Sequence, residues 1–424
     1  MARNYAGPTR PALHLCRMRV IVIGGGAAGF FAALSVKAHH PETEVLLLEK
    51  SDKLLAKVRI SGGGRCNVTH HCLNTRKLAA HYPRGERFLR KAFERFSVKD
   101  TIAWFARQGV QLKTEADGRM FPVTDDSGTI VRCLMEAAEQ AGVRIMRQSG
   151  VKSLEVDGTR GFVLHVEKGG TLEAARVIVA TGGHPKPEAY AWLSALGHAV
   201  VPPAPSLFTF NMPGEAVRAL MGVSAAPVRA RVVGAGLESE GPLLITHWGM
   251  SGPAVLKLSA WGARAVQQMG YRFTLQLHWL GGRGEEEVRA ALAEEALVRK
   301  QAGNANPFAI PRRLWEFLLT KAGVALERPW GEVGKKDRNR LVDLLTNDRY
   351  AVAGKTTFKE EFVTAGGITL EEVDPLTLQS RKVPGLYFAG EVLDIDGITG
   401  GFNFQAAWTT GFLAGRLEGE VPRQ

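Results

Sequence analysis

Four branched apolar residues, Val20 to Ile23, run without a break into Gly24-x-Gly26-x-x-Gly29 and then into an alanine-rich segment. A buried strand, a tight turn and a helix are predicted in that order, and few folds accommodate the series. Gly24 permits the turn, Gly26 lets the backbone approach a pyrophosphate, and Gly29 lets helix and strand pack closely. Ala27 and Ala28 open the helix, whose free N–H groups face the phosphates. A second apolar strand, EVLLLEK, ends in Glu49 and Lys50. Glu49 stands about twenty residues after the last glycine, where a ribose-binding carboxylate belongs. Residues 18 to 50 are therefore expected to bind a dinucleotide in an α/β, Rossmann-like domain.

The fingerprint does not separate a flavin from a nicotinamide, so later stretches carry the discrimination. SGGGRCNVT, residues 61 to 69, suits a loop folded back along an extended cofactor, with Gly63 and Gly64 in its backbone and Arg65 and Asn67 as donors. ARVIVATGG ends a strand in Thr181-Gly182-Gly183, where backbone passes close to something bulky. GLYFAGEVLDIDGITGGFNFQAAWTTGFLAG, residues 385 to 415, places Gly390, Glu391 and Asp394 after a short strand, then Gly400 and Gly401, then a helix from about Asn403. A helix N-terminus there stabilises nearby negative charge by about 0.3–1 kcal/mol. Both chain ends thus converge on one long ligand, and FAD fits that demand. Gly234-x-Gly236 lacks a third glycine, so NAD(P)H is expected only as a transient electron donor, a small-molecule reductant using the substrate cleft.

In order and combination, VIGGGAAG, SGGGRCNVT, GRMFPVTDDS, THWGMSGPAVL, FVTAGGI and GLYFAGEVLDIDGITGGFNFQAAWTTG resemble a bacterial family over residues 18 to 417. It is the family of FAD-binding flavoproteins known as NAD(P)/FAD-dependent oxidoreductases or aminoacetone-oxidase-like enzymes. The resemblance implies an FAD domain built from both chain ends, an inserted β-rich domain, and a small helical subdomain within the insert. Some members are associated with reducing a uridine of 23S ribosomal RNA to dihydrouridine, others with oxidising small amines.

The middle of the chain reads accordingly. VVPPAPSLFTF marks a proline-rich boundary at 200 to 210. LFTFNM, VRARVVGAG, LLITHWG and YRFTLQLHW are strand-like, whereas EEEVRAALAEEALVRK, RRLWEFLLTKAG and KKDRNRLVDLLTN carry helical periodicity. The expected parts are an FAD domain of 18–200 and 355–424, a β-rich domain of 201–283 and 346–354, and a helical subdomain of 284–345. Residues 1–17 are expected to form a disordered extension.

Lysine and arginine total 54 against 42 acids, a net charge of +12. Such an excess favours polyanionic partners, ribosomal RNA or a ribosomal particle among them. Residues 76 to 100 concentrate Arg84, Arg87, Arg90, Lys91 and Arg95 with Phe88, Phe93 and Phe96 on one predicted helix, and Lys335 and Lys336 belong to a second basic cluster. Either these cations grip RNA phosphates, or the helix is a solvated face packed by its phenylalanines. Four cysteines, at 16, 66, 72 and 133, make no disulfide framework and suit a reducing cytoplasm. No apolar run of membrane-spanning length occurs.

Uracil reduction needs a hydride on one ring carbon and a proton on its neighbour, hence a general acid. Cys66, in the flavin-side loop, is the first candidate, against the plainer role of a small buried residue. His247, in THWGMSGP, would donate a proton or hold a substrate carbonyl, or serve structure alone. Arg119 would bind an anionic group or pair with a nearby acid. Cys66, His70, His71 and Cys72 match no regular zinc spacing, and no metal is expected. Three functions stay open: a uridine reductase, an oxidase or dehydrogenase of a small amine, and an FAD-stabilised RNA-binding factor without turnover.

Overall fold

The computed structural model describes residues 18–158, 161–356 and 363–419, so the amino-terminal extension expected at 1–17 lies outside the described residues. A five-stranded parallel sheet forms the centre, in the order Leu386–Phe388, Arg176–Val179, Arg19–Ile23, Glu44–Leu48 and Arg144–Met146. Val20, Ile21 and Val22 are fully buried, as a strand covered on both faces requires.

The first helix, Ala27–His39, is buried at every position from Ala28 to Val36. A helix apolar all round must be covered on all sides, and here the sheet covers one side and the closing helix, Phe402–Gly415, the other. Their contact is backbone to backbone. A Cβ on Gly411 would lie 2.4 Å from Ala28 O, and one on Gly415 would lie 2.3 Å from Ala32 O. Ser35 Oγ donates to Phe412 O at 2.6 Å across the same seam.

Val200–Ser206 pairs antiparallel with Val363–Ile368, so the outgoing and returning segments are zipped together. The proline-rich stretch expected only as a boundary is thus a strand. Its register shifts between Val201 and Ala204, at Pro202 and Pro203, because proline cannot donate to a ladder. Beyond it lies a seven-stranded antiparallel sheet, from Asp348–Ala353 at one edge through Arg272–His278, Ser224–Val232, Leu237–Ile245, Gly249–Ser251 and Thr209–Asn211 to Lys355–Thr356 at the other. The return to the parallel sheet, expected at 355, therefore comes later, since Lys355 and Thr356 still pair with the Thr209–Asn211 strand. Helices Glu285–Leu292, Arg312–Ala322 and Lys335–Asn347 pack on this sheet around buried Trp279, Trp315 and Trp330.

The single helix expected over residues 76 to 100 is three: Thr75–Ala79, Glu86–Phe93 and Val98–Arg107. Gly85, at φ 88°, turns the chain into the second, and a capping box between Ser97 and Asp100 starts the third. Phe88 and Phe93 are buried on the middle helix, and Phe96 is buried in the connection that follows. Among the described residues, no helix is long and apolar enough to cross a membrane.

Gly411→Val and Gly415→Val are expected to force the two helices apart and lower stability by about 1–3 kcal/mol each. Thermal or urea unfolding reads this as a lower midpoint, and an unchanged midpoint in either variant would contradict the close-contact account.

Candidate functional site

The carboxyl ends of the parallel strands open onto a cavity of about 730 Å³, at the large end of the roughly 300–1,000 Å³ range of ligand sites. Gly24, Gly26, Ala27, Ala28, Glu49, Lys50, Gly63, Asn67, Thr181, Gly182, Gly390, Glu391, Gly400, Gly401 and Asn403 all line it. Residues from both chain ends thus share one wall. Gly24 is needed for close approach, since a Cβ there would lie 2.3 Å from Ala180 O. A Cβ on Gly29 would sit 1.9 Å from Gly24 O, so this glycine lets the helix meet the turn and does not face the cavity. A Cβ on Gly26 would meet nothing within 4 Å, which leaves the helix N-terminus open to a ligand.

Glu49 is held by its surroundings. Its Oε2 accepts from Gly25 N at 2.9 Å, and its Oε1 accepts from Ser51 N and Ser51 Oγ, both at 2.8 Å. A carboxylate with about four acceptor positions retains room for a hydroxyl of a bound ligand. Lys50, Lys53 and Lys57 also line the cavity, and Lys57 Nζ bonds Glu391 Oε2 at 2.7 Å. The other Glu391 oxygen accepts from Thr364 N at 2.7 Å.

At the far end the loop after Ser61 is fastened to the closing helix. With its amide oriented to satisfy both ends, Asn67 donates to Thr69 O and accepts from Gly401 N, each at 3.0 Å. His70 Nδ1 bonds Gly400 O at 3.1 Å, and Trp408 Nε1 donates to Val68 O at 2.9 Å. Asn403 donates to Gly397 O and accepts from Gly397 N, which holds the glycine-rich turn against the helix start.

Several expected site residues are placed elsewhere. Cys66 is fully buried, burial pushes its thiol up to about 12, and it does not line the cavity. Its φ is 63° and its side chain belongs to the buried core, which fits the plainer role of a small buried residue. His247 is exposed and stacks edge-on against Trp248, away from the cavity. Gly64 and Arg65 also stand outside the wall: Arg65 bonds Glu115 at 2.6 Å and stacks 3.9 Å above the Phe121 ring. Asp394 does not line the cavity either, because its Oδ1 accepts from Gly366 N at 2.8 Å and faces Arg264.

The basic residues divide in the same way. Arg84 is not available to a phosphate, since its guanidinium is paired with fully buried Asp396. Arg95 pairs with Glu418 at 3.0 Å. Arg87, Arg90 and Lys91 are exposed on one face of helix Glu86–Phe93, and Lys335 and Lys336 are exposed at the start of helix Lys335–Asn347.

The opposite wall is formed by residues outside the expected set. Leu207, Thr209, Ser251, Leu256 and Thr356 come from the seven-stranded sheet and its connections. Thr209 Oγ1 accepts from Trp248 Nε1 at 3.0 Å, so the THWGMSGP stretch supports the wall through its tryptophan and serine, not its histidine. His184 also lines the cavity, and burial, with Lys50 and Lys57 nearby, lowers its pKa and keeps it neutral. Arg119 lines the cavity while paired to Asp117 at 2.7 Å and Glu115 at 3.0 Å.

The family described as HI0933-like protein Rossmann domain matches residues 18–417. A ribosomal RNA dihydrouridine synthase of Escherichia coli is 31% identical, over 93% of this chain and 96% of its own. A 3-dehydro-bile acid delta(4,6)-reductase of Clostridium scindens is 28% identical, over 95% of this chain and 100% of its own. Among solved structures, the 3-ketosteroid delta1-dehydrogenase of Sterolibacterium denitrificans shares the fold, with a TM-score of 0.52 at 15% identity, covering 93% of this chain and 98% of that one. A cavity built from both chain ends, open at a phosphate-facing helix N-terminus and matched along nearly its whole length, places the chain in the HI0933-like Rossmann family of FAD-dependent oxidoreductases.

Proposed function

We propose that this protein reduces a carbon–carbon double bond conjugated to a carbonyl, and that the bond is the C5=C6 bond of a uridine in 23S ribosomal RNA, giving dihydrouridine. The activities named for two relatives share that chemistry: a 3-keto bile acid with delta(4,6) unsaturation and a uracil ring both present an electron-poor alkene. FAD, when bound and reduced, supplies the hydride, with NAD(P)H as the proposed donor of electrons to it. The chain's own task is to hold the alkene's carbonyl as negative charge builds on the oxygen and to admit a proton to the neighbouring carbon. The Ser251 hydroxyl, on the cavity wall, is a donor suited to that oxygen.

The observation that favours RNA is the exposed cation face of helix Glu86–Phe93. Arg87, Arg90 and Lys91 stand at i, i+3 and i+4 with their backs to buried Phe88, Leu89, Ala92 and Phe93. Arg76 and Lys77 are exposed on the packed neighbouring helix, Thr75–Ala79. Gly85, one residue before the helix, packs against Ile395 of the cavity wall, which supports a site for the RNA backbone near the cleft. A second reading, a small apolar enone, is favoured by Leu207, Leu256, Ile395, Ile398 and Phe404 on the cavity wall.

In 23S ribosomal RNA from a strain lacking this protein, mass spectrometry is expected to find one nucleotide lighter by two hydrogens than in the parent. Unchanged RNA, together with reoxidation of the reduced holoprotein by a conjugated steroid dienone under anaerobic conditions, would move the assignment to the second reading. Replacing Arg87, Arg90 and Lys91 together by Gln is expected to flatten the dependence of log affinity on log salt by about 2–3 for RNA, with FAD content unchanged. An identical salt slope would remove this face from the interface. Asn67→Ala, which frees Gly401 N, is expected to weaken FAD binding by about tenfold, the equivalent of one hydrogen bond, as read by flavin fluorescence on titration of the apoprotein.

A further inference from the structure

The acidic segment Leu393–Gly397 has two sides. Ile395 lines the cavity, whereas Asp394 and Asp396 on either side of it do not. Asp394 faces Arg264 at 3.5 Å, and Arg264 Nη1 also donates to Pro202 O at 3.2 Å. Asp396 is fully buried against Arg84 and accepts from Ser206 Oγ at 2.6 Å. Arg84 Nη1 donates further to Ala260 O at 2.8 Å, in the helix Pro253–Trp261 that also carries cavity-lining Leu256.

These contacts join two walls one residue behind their surfaces. Ser206 precedes Leu207, Asp396 follows Ile395, and both Leu207 and Ile395 line the cavity. Ser206 belongs to the strand that leads into the seven-stranded sheet, whereas Asp396 follows the last strand of the parallel sheet. Neither Arg84, Asp396 nor Ser206 lines the cavity. We propose that Arg84, Asp396 and Ser206 form a positioning cluster that sets the aperture of the cleft, by locking the Leu207 wall and the Ile395 wall at a fixed separation. The cluster acts through those two neighbours and touches neither substrate nor cofactor.

A buried ion pair makes the positioning role separable from plain stability. Removing one partner leaves an unpaired buried charge, whereas replacing both by apolar residues of similar volume relieves that penalty without restoring the hydrogen bonds. The test is iodide quenching of flavin fluorescence in the FAD-loaded protein, which reads access to the cleft and requires no substrate, so it stands apart from the ribosomal RNA reading. Arg84→Met, Ser206→Ala and the double variant R84M/D396L are each expected to raise the quenching constant several-fold while retaining stoichiometric FAD. The double variant should also regain the thermal stability that R84M loses, and Arg84→Lys should return quenching toward the parent value. Should R84M fail to fold, Ser206→Ala and R84M/D396L decide the matter. Parental quenching in these folded, flavin-loaded variants would overturn the proposal. So would loss of FAD from all of them, because the cluster would then act on the cofactor site itself.

Discussion

Everything in the site depends on two helices from opposite ends of the chain touching through their backbones. Gly411 and Gly415 remove the side chains that would hold the closing helix away from Ala28 and Ala32, and small residues at a helix crossing let axes approach closely. The approach carries the start of the closing helix, with Gly400 and Gly401, to the same cavity as the fingerprint turn. It also brings Gly390 over Ala28, where a Cβ would lie 2.9 Å from the alanine methyl. Gly390 N donates there to Thr410 Oγ1 at 2.8 Å. A wider crossing would part the two ends of the binding wall before it altered any single contact within it.

Register along that crossing is set by a buried polar chain. Thr69 Oγ1 donates to Gln405 Oε1 at 2.6 Å, and Gln405 Nε2 donates to Thr101 Oγ1 and Thr409 Oγ1. Thr409 in turn donates to Phe96 O at 3.0 Å. All these side chains are buried, and a satisfied network of this kind admits one arrangement, because sliding by one residue would strand several polar groups in the core. The loop after Ser61 and the helical insert that carries the cation face are therefore referenced to the same helix as the cofactor wall.

What was legible in the sequence was what local geometry dictates. The fingerprint spacing, the carboxylate at Glu49 and the closing helix, which starts at Phe402 against an expected start near Asn403, all follow from turns and periodicities within about twenty residues. Asp394 and Cys66 show where that reach ends. Each stands next to a residue that does line the cavity, Ile395 in one case and Asn67 in the other, yet does not line it itself. Arg84 misled for a related reason: its partner Asp396 is distant in sequence, so its cation looked as free as those of Arg87 and Arg90. The strand Val200–Ser206 was hidden by its prolines, which a bulged register accommodates.

The two walls of the cleft are made of different material. The FAD-side wall is largely backbone: glycines, helix N-termini and carbonyls, with Glu49 and Asn67 as its fixed polar points. The facing wall is made of side chains, among them Leu207, Thr209, Ser251 and Leu256. Backbone geometry tolerates few substitutions where a Cβ would collide, whereas a side-chain wall can change shape and polarity without disturbing the sheet beneath it. One flavin-binding wall is then compatible with unlike facing walls, so differences in substrate among FAD-dependent oxidoreductases of this family would lie in the facing wall and the surface around the cleft. In this chain Arg87, Arg90 and Lys91 are exposed on the helix that follows Gly85, and Gly85 packs against Ile395. Arg84, three residues before Arg87, is paired to the residue that follows Ile395, so the proposed polyanion face and the proposed positioning cluster occupy one stretch of chain.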